Sequence, residues 1–388
     1  MIWHQSRKLT FRFISKLLFW LPTREINLIE IKRVLVIIVG KYGIGDVVLC
    51  TPALRLLSEH FGAKSISVLI DQKNTHVLDN CPLFEHLFIF NNRSKLRKLF
   101  SMIKLAKQLR QCHFDIAIDF YSYQGINSAL LAVLSGARHR IGRDTDHRGF
   151  FFTKKLPPAP PQQHQIDRVS ELLYPIGLDK VTSQPEFFIF QKDQKRVERL
   201  LNDLGIENNK PFIIIHPGTG NYISQARQWP LQRFAQLADR IIERYAIDLL
   251  FTGSGAEIGM VEIIQSAMKH QAYSVAGKCS LQELAALIQR AQLFISGNTG
   301  PMHIAVAVGT STVSIFTHID PDDHPERWKP RGTNHIVIQK DVGCKVCDRR
   351  RCRSFRCLYD LSVDDVFQGV NELINRTWGI NIWSNQGS

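Results

Sequence analysis

The sequence predicts an α/β protein built from two tandem units, each a parallel β-sheet covered by helices. Two observations lead to this fold class. Uninterrupted aliphatic runs at 34–39 and 212–215 predict strands buried on both faces, as parallel strands are, and each run ends in a glycine-containing turn. The chain also has 388 residues, of which 44% are hydrophobic, and this is enough to bury two ordinary cores.

The first strand leads into the segment GKYGIGDVV at 40–48, where three glycines predict a tight turn before a helix over 47–57. Pro52 is compatible with this helix because it falls near the first turn. Such a turn presents free amide groups at a helix N-terminus, where anionic or polar groups are stabilised. The turn carries a carboxylate, Asp46. It can serve as a helix N-cap, or as a general base at the carboxyl end of the strand, where open α/β sheets bind ligands.

The charge of the chain indicates an anionic partner. The net charge is +14 and the pI is about 9.5, which suits nucleic acid, an anionic membrane surface or a phosphorylated substrate. No apolar run reaches the ~18 residues that a membrane-spanning helix requires. No signal peptide with a cleavage site is evident, and a cytoplasmic enzyme is therefore expected.

Residues 1–32 are predicted to form a separate basic, amphipathic segment. On a helical wheel Lys8, Arg12 and Lys16 fall together, most apolar side chains share the other side, and Pro22 ends the segment. Such a helix can lie in the membrane interface with its basic residues toward anionic headgroups. Alternatively, it can dock on the protein's own surface.

The first α/β unit is predicted to span residues 33–190. Its strands are expected at 34–39, 65–70, 87–90 and 114–120, with helices between them. The segment 93–110 is rich in lysine and arginine, which fits either a solvated helix face or a contact surface for an acidic acceptor. The proline-rich segment 156–165 is expected to be a surface connection.

The second unit is predicted over 191–362, followed by a C-terminal helix and tail over 363–388. Its strands are expected at 212–215, 248–252, 293–296 and, as the last of them, 313–316. Glycine turns follow three of these strands, as HPGTG, GSGAE and GNTGPMH, and a helix is expected over Leu231–Tyr245. Two such units would place their strand ends face to face across a cleft, an architecture typical of nucleotide-sugar transferases.

Five segments, in this order, carry a resemblance to a known family: GKYGIGDVVLCTPALRLL, HPGTG with ARQWP, FTGSGAE, SGNTGPMHIA, and the cysteine-rich tail before LSVDDV. Together they are similar to the bacterial ADP-heptose:lipopolysaccharide heptosyltransferases, glycosyltransferase family 9, over about residues 33–375. The resemblance implies a GT-B fold, with two Rossmann-like domains facing each other across a cleft. It also implies an inverting, metal-independent transferase that moves heptose from ADP-heptose to a lipopolysaccharide core or related glycan.

The same resemblance implies roles for particular residues. Asp46 corresponds to the general base that takes the proton from the acceptor hydroxyl, with Gly43 and Gly45 on the acceptor side. A base must reach that hydroxyl directly, and a carboxylate at a strand end can be held there rigidly. The residues that correspond to the donor site are Thr219, Arg227, Glu257, Asn298, Thr299, Gly300 and His303.

Two donor-site positions depart from the family pattern. Arg227 replaces a lysine, and it keeps the charge that diphosphate requires. Asn298 replaces an acid and keeps only hydrogen bonding, which leaves the identity of the donor open. Glu257 matches an acid that binds the ribose hydroxyls, or it is a first-turn acid that complements a helix dipole. His303 could equally be a packed helix histidine.

Four cysteines form the closely spaced pattern C-x2-C-x4-C-x4-C: Cys344, Cys347, Cys352 and Cys357. This spacing could supply a tetrahedral thiolate site for structural zinc or iron, although the resemblance implies that catalysis requires no cofactor. The arginines between them would lower the thiol pKa values and favour metal ligation. The other cysteines, Cys50, Cys81, Cys112 and Cys279, are expected to be buried small residues in a reducing compartment.

Two alternatives to this enzyme stay open. The chain could be a catalytically degenerate relative that binds a nucleotide or glycan, or a transferase that uses another nucleotide sugar. The intact GIGDVV turn around Asp46 favours an active enzyme. Nucleic-acid binding would explain the charge but none of the motifs, and no nucleic-acid partner is expected.

Overall fold

The computed structural model describes residues 26–40, 42–91, 95–121, 125–145, 148–179, 184–207, 210–219, 228–317, 324–344, 347 and 352–378. Most of the predicted N-terminal amphipathic segment, residues 1–25, lies outside this description, as do the tail 379–388 and Arg227. Among the described residues, no helix combines the length and the apolar character that crossing a bilayer would need.

The first half of the chain forms a parallel sheet. Its strands are β1 (Val34–Ile38), β2 (Ile66–Asp71), β3 (His86–Phe90), β4 (Ile116–Asp119), β5 (His139–Arg143) and β6 (Lys154–Leu156). They lie in the order β3-β2-β1-β4-β5-β6. The central strand β1 pairs with β2 and β4, with Val36 between Val68 and Ile118. All of β1 is buried because helices cover both faces of the sheet.

The second half forms another parallel sheet with the same connectivity. Its strands are β7 (Phe212–His216), β8 (Asp248–Phe251), β9 (Tyr273–Ser274), β10 (Leu293–Gly297), β11 (Thr312–Phe316) and β12 (His335–Gln339). They lie in the order β12-β11-β10-β7-β8-β9. In each sheet the first and fourth strands in chain order are therefore central neighbours, which is the Rossmann arrangement. The predicted α/β fold with two Rossmann-like units is confirmed.

The helices of the first half are α1 (Ile44–Val48), α2 (Thr51–Phe61), α3 (Lys95–Gln111), α4 (Ile126–Leu134) and α5 (Gln165–Ser170). Those that follow are α6 (Gln191–Asp203), α7 (Leu231–Tyr245), α8 (Ile258–Ser266), α9 (Leu281–Arg290), α10 (Gly300–Ala307), α11 (Pro325–Trp328), α12 (Arg356–Tyr359) and α13 (Val363–Trp378). Helix α13 packs against α7, β11 and β12 of the second sheet.

The prediction of a single helix over 47–57 was wrong, because the structure has two helices there. Helix α1 ends at Val48, and α2 begins at Thr51 with Pro52 in its first turn. Proline has no N–H to donate to the carbonyl of Val48, so the helical ladder is interrupted. The Thr51 hydroxyl donates to that carbonyl instead, at 2.7 Å.

The sequence analysis missed strands β5, β6, β9 and β12. They lie toward the outer edges of the sheets, and β5 and β12 include basic or polar residues that hide the aliphatic pattern. The prediction that 313–316 is the last strand was therefore wrong, since β12 pairs with β11 in parallel. Of the four scattered cysteines, Cys50 is buried, whereas the other three are only half-buried.

Candidate active site

Apart from Glu257, which follows β8, the predicted active-site residues that the structure describes lie at the point in each sheet where the strand order reverses. In the first sheet this point lies between β1 and β4, and Asp46 follows β1. In the second it lies between β7 and β10; the HPG turn follows β7, and Asn298 follows β10. Open α/β sheets bind ligands at such points because the loops on either side diverge and leave a crevice.

Asp46 is half-buried in the first turn of α1. The amide of Gly43 donates to its Oδ2 at 2.9 Å. Burial raises the pKa of Asp46 to about 6, although the Gly43 amide and the positive charge of Arg327 oppose this rise. A carboxylate with this pKa is ionised at neutral pH and is a better proton acceptor than an ordinary aspartate. The hydrogen bond of Asp46 at the helix N-terminus is therefore compatible with its predicted role as a general base.

Tyr121 fixes the helix that carries Asp46. Its hydroxyl donates to the backbone carbonyl of Asp46 at 2.8 Å, and its ring stacks on Tyr42 with centroids 4.6 Å apart. The amide of Tyr121 donates to Oδ1 of Asp119 at 3.1 Å. Asp119 is fully buried at the end of β4, and burial raises its pKa to about 7. The position of Asp46 thus depends on side chains from the neighbouring strand end.

The two halves of the molecule touch at the Asp46 turn. Helix α10 contacts α1, and a Cβ atom added to Gly45 would overlap the ring of His303. A Cβ atom added to Gly300 would lie 3.0 Å from the Cβ of Ile44. Glycine is therefore required on both sides for the two helix N-termini to approach each other. Three predicted site residues, Gly45, Gly300 and His303, therefore lie together where α1 and α10 touch.

His303 is buried in that contact, 6.1 Å from the Trp328 ring between centroids. Burial lowers its pKa to about 3, so the imidazole is neutral at physiological pH. Its packing against the backbone of Gly45 gives it a structural role between the two halves. Thr299 is the N-cap residue of α10, but its side chain makes no capping hydrogen bond; within the described residues its hydroxyl is buried and has no hydrogen-bond partner. Asn298 directly precedes it and is half-buried.

A second group of predicted residues surrounds Glu257. This side chain is buried, and its Oε2 accepts hydrogen bonds from the amide and hydroxyl of Ser254, at 2.7 and 2.9 Å. A Cβ atom on Gly218 would overlap the Glu257 carboxylate, so the HPG turn passes directly over it. Thr219 continues this turn and is half-buried. Glu257 is thus held rigidly beside the turn that follows β7.

Sequence reasoning missed Arg327, which the structure brings close to Asp46. Its side chain is buried, donates from Nε to Oε1 of Gln165 at 3.3 Å, and lies 4.8 Å from the centroid of the Trp328 ring. Its charge favours the ionised form of Asp46. This electrostatic influence links a short helix near the second sheet to an acid of the first, and nothing in the local sequence distinguishes this arginine from the other cations of the chain.

The four clustered cysteines are close enough to interact. Burial, together with the other three thiols, raises the pKa of Cys357 to about 11, whereas the Phe355 amide, which donates to Sγ of Cys352 at 3.4 Å, lowers the pKa of Cys352. Within the described part of the chain, however, no three histidine, cysteine, aspartate or glutamate side chains are placed to share a metal ion. As placed, the thiols do not fit a zinc or iron centre, and the metal site stays a prediction.

Comparison with known proteins agrees with this geometry. Residues 102–357 match the family model described as Glycosyltransferase family 9 (heptosyltransferase). Lipopolysaccharide heptosyltransferase 3 of Escherichia coli is 29% identical over 338 residues, which cover 85% of this chain and 96% of that protein. A glycosyl transferase family 9 structure from Veillonella parvula aligns with a TM-score of 0.78 at 21% identity, covering 91% of this chain and 100% of that chain.

Similarly, the structure of E. coli ADP-heptose lps heptosyltransferase II aligns with a TM-score of 0.71 at 19% identity, covering 89% of this chain and 99% of that chain. The predicted GT-B fold is confirmed by these alignments.

Proposed function

The chain belongs to glycosyltransferase family 9, the heptosyltransferase family, and we propose that it moves heptose from ADP-heptose to a lipopolysaccharide core or a related glycan. The observation that carries the proposal is the position of Asp46. A carboxylate whose pKa is raised to about 6 lies where the N-termini of α1 and α10 meet, between the predicted acceptor and donor sides. The name and sequence similarity of the E. coli lipopolysaccharide heptosyltransferase support the choice of substrates.

The reaction would be a single displacement with inversion. Asp46 accepts the proton of the acceptor hydroxyl while that oxygen forms a bond to the anomeric carbon of the heptose. The bond from this carbon to the diphosphate breaks on the opposite face, and ADP leaves with the electron pair. The Oδ2 atom of Asp46 already accepts from Gly43, and this bond orients the carboxylate. We expect Oδ1 to face the hydroxyl.

The donor side would stabilise the charge that develops on the diphosphate. Thr299 offers a buried hydroxyl at the N-terminus of α10, and Gly300 begins that helix. Helix N-termini stabilise phosphate because their amide groups and dipole favour negative charge. Arg227 would add a cation, and Glu257 would bind the ribose hydroxyls of the nucleotide. In this scheme the chain's own groups provide the charge stabilisation, so the proposal includes no metal ion.

The acceptor would be anionic and would meet the enzyme at the inner face of the inner membrane. The net charge of +14 supports an anionic glycan and a negatively charged surface as partners. Asn298, which replaces an acid of the family pattern, bears on the choice of sugar because it can donate as well as accept hydrogen bonds.

The test combines nucleotide binding with turnover in the full-length protein. Calorimetric titration with ADP, UDP and GDP should show selective binding of ADP. ADP release from ADP-heptose should then require a heptose-deficient lipopolysaccharide core. Asp46→Asn should bind ADP like the wild type but release it from ADP-heptose about 1000-fold more slowly. Preference for UDP or GDP would contradict the proposed donor, and ADP binding without turnover on any core acceptor would indicate the degenerate relative.

A further inference from the structure

Helix α3 has an unusual composition for a helix on the outside of a sheet. Its 17 residues, KLRKLFSMIKLAKQLRQ, include no acid. Six are basic: Lys95, Arg97, Lys98, Lys104, Lys107 and Arg110. A solvated helix normally mixes both signs of charge, because pairs of opposite charge three or four residues apart stabilise it. Among its described side chains, Lys104, Lys107 and Arg110 are exposed, and Nε of Arg110 donates to the carbonyl of Leu134 at 3.2 Å. The positive charge of Lys104 and Lys107 therefore faces solvent.

The exposed face of α3 also carries large apolar side chains. Met102, Leu105 and Leu109 are buried against the sheet. On the opposite side, Phe100 is 71% exposed and Ile103 is 61% exposed. These two share the outer face with Lys104 and Lys107, both exposed, at the spacing of neighbours on one helix surface. Exposed phenylalanine and isoleucine side chains beside lysine are typical of a surface that binds a partner molecule or a membrane.

An open groove of about 710 Å³ continues this face toward α4. Met102, Ile103 and Ala106 of α3 line one side, and Leu130 and Leu134 of α4 line the other. Lys107 and Arg110 also contribute to the lining. Gln111 and His113 complete the lining, so the groove combines a mostly apolar surface with cationic and polar groups, which matches a molecule with a hydrocarbon part and an anionic head.

We propose that the outer face of α3 and this groove dock onto an anionic phospholipid bilayer. Phe100 and Ile103 would enter the boundary between headgroups and acyl chains, while Lys104, Lys107 and Arg110 would contact the headgroup phosphates. A purely ionic partner, such as an acidic polypeptide, would explain the basic residues but would leave the exposed apolar pair in water. The combination favours a lipid surface.

The position of α3 makes this docking useful to the enzyme. Helix α3 follows β3, so it starts at the same edge of the first sheet as the turn that carries Asp46. The docking residues lie further along the helix than that edge, and docking through α3 would hold the first unit, which carries Asp46, against the membrane. The inference itself does not depend on the transferase reaction, because lipid binding and turnover are measured separately.

The first experiment measures sedimentation of the full-length protein with phosphatidylglycerol/phosphatidylcholine vesicles. The wild type should bind, and binding should weaken as salt increases. Phe100→Ser/Ile103→Ser should bind at least about tenfold more weakly. The matched control is Ile263→Ser/Tyr359→Ser, which removes an exposed isoleucine and an exposed aromatic ring from the second half and should bind like the wild type.

A second variant, which removes charge instead, keeps the test valid if Phe100→Ser/Ile103→Ser folds poorly. Lys104→Gln/Lys107→Gln should also weaken binding about tenfold at low salt, since each cation near the surface contributes separately. Lys195→Gln/Arg199→Gln removes two exposed cations from α6 and should have no effect. If the α3 variants bind vesicles as tightly as the wild type, the proposal is wrong, and the attachment lies elsewhere, for example in residues 1–25.

Insertion of the helix can be measured directly. Phe100→Trp should gain tryptophan fluorescence that is quenched by brominated acyl chains, whereas Ile263→Trp should gain fluorescence that is not quenched. Loss of vesicle binding on lysine removal, without quenching of the tryptophan at position 100, would indicate attachment to the headgroups by charge alone, without insertion of Phe100 and Ile103, and would overturn the proposal. The melting temperature and the far-UV circular dichroism spectrum serve as the folding control for all variants.

Discussion

Two acids in this protein occupy the same local motif and are held differently. Asp46 and Glu257 are each the third residue after a helix cap, and each accepts a hydrogen bond from the backbone amide of the cap residue. The cap for Glu257 is Ser254, whose hydroxyl provides a second bond at 2.9 Å. The cap for Asp46 is Gly43, which has no side chain. The carboxylate of Asp46 is therefore less satisfied, and burial raises its pKa to about 6.

The comparison shows how one motif can serve two purposes. A carboxylate with several donors is a fixed acceptor, suited to binding hydroxyl groups of a ligand. A buried carboxylate whose cap residue offers no hydroxyl, such as Asp46, can take up a proton when a reacting hydroxyl approaches. The choice of glycine or serine at the cap separates these roles.

The largest effect is expected for the proposed base. Asp46→Asn keeps the shape of the side chain but cannot accept a proton, and kcat should fall about 1000-fold, within the range for loss of general base catalysis. Steady-state release of ADP measures this loss. Nucleotide affinity and the melting temperature should stay close to wild type. A fall of less than about tenfold would remove Asp46 from the base role.

The next largest effect concerns the contact between the two halves. Gly45→Ala places a methyl group against the His303 ring, and α1 and α10 must separate to accommodate it. We expect kcat/KM to fall ten- to a hundredfold, since small displacements of catalytic groups are costly. Gly43→Ala is the matched control: its methyl group would meet only Oδ2 of Asp46, at 3.9 Å, and should be tolerated. Equal effects of both substitutions would contradict this account.

A smaller effect is expected at Glu257. Glu257→Gln preserves volume and an acceptor oxygen but removes the charge that strengthens bonds to ribose hydroxyls. The dissociation constant for ADP should rise about tenfold, which corresponds to about 1.4 kcal/mol, while kcat at saturating donor changes little. Calorimetry and initial rates separate the two quantities. If kcat falls as much as it does in Asp46→Asn, Glu257 takes part in the chemical step and is not only a ribose-binding acid.

The smallest effect tests the cap itself. In the wild type, kcat/KM should rise with pH through about 6, because the ionised form of Asp46 is the base. Gly43→Ser offers Asp46 the hydroxyl that Ser254 offers Glu257. An added donor stabilises the ionised form and lowers the pKa, so the midpoint of the profile should move to lower pH by about half a unit. An unchanged or higher midpoint would show that the cap does not set the pKa.

The sequence alone determined the fold class and the main chemical group. Buried parallel strands appear as aliphatic runs, glycine turns follow them, and helix α7 has the predicted limits Leu231–Tyr245. These are local signals, since a few neighbouring residues suffice to specify them. The glycine turn after the first strand also singled out Asp46 as a candidate base, whereas the predicted role of Glu257 came from the resemblance to the family. Edge strands such as β12 were missed because they are only half-buried and their pattern is weak.

Only the tertiary structure decided how these groups act. The contact of Gly45 with His303, the charge of Arg327 near Asp46, and the hydrogen bond from Tyr121 all join residues far apart in the chain. A pKa depends on burial and on the charges around a group, and neither is set by sequence neighbours. The same reason applies to α3: its basic character is visible in the sequence, but the exposure of Phe100 and Ile103 depends on which helix face the sheet covers.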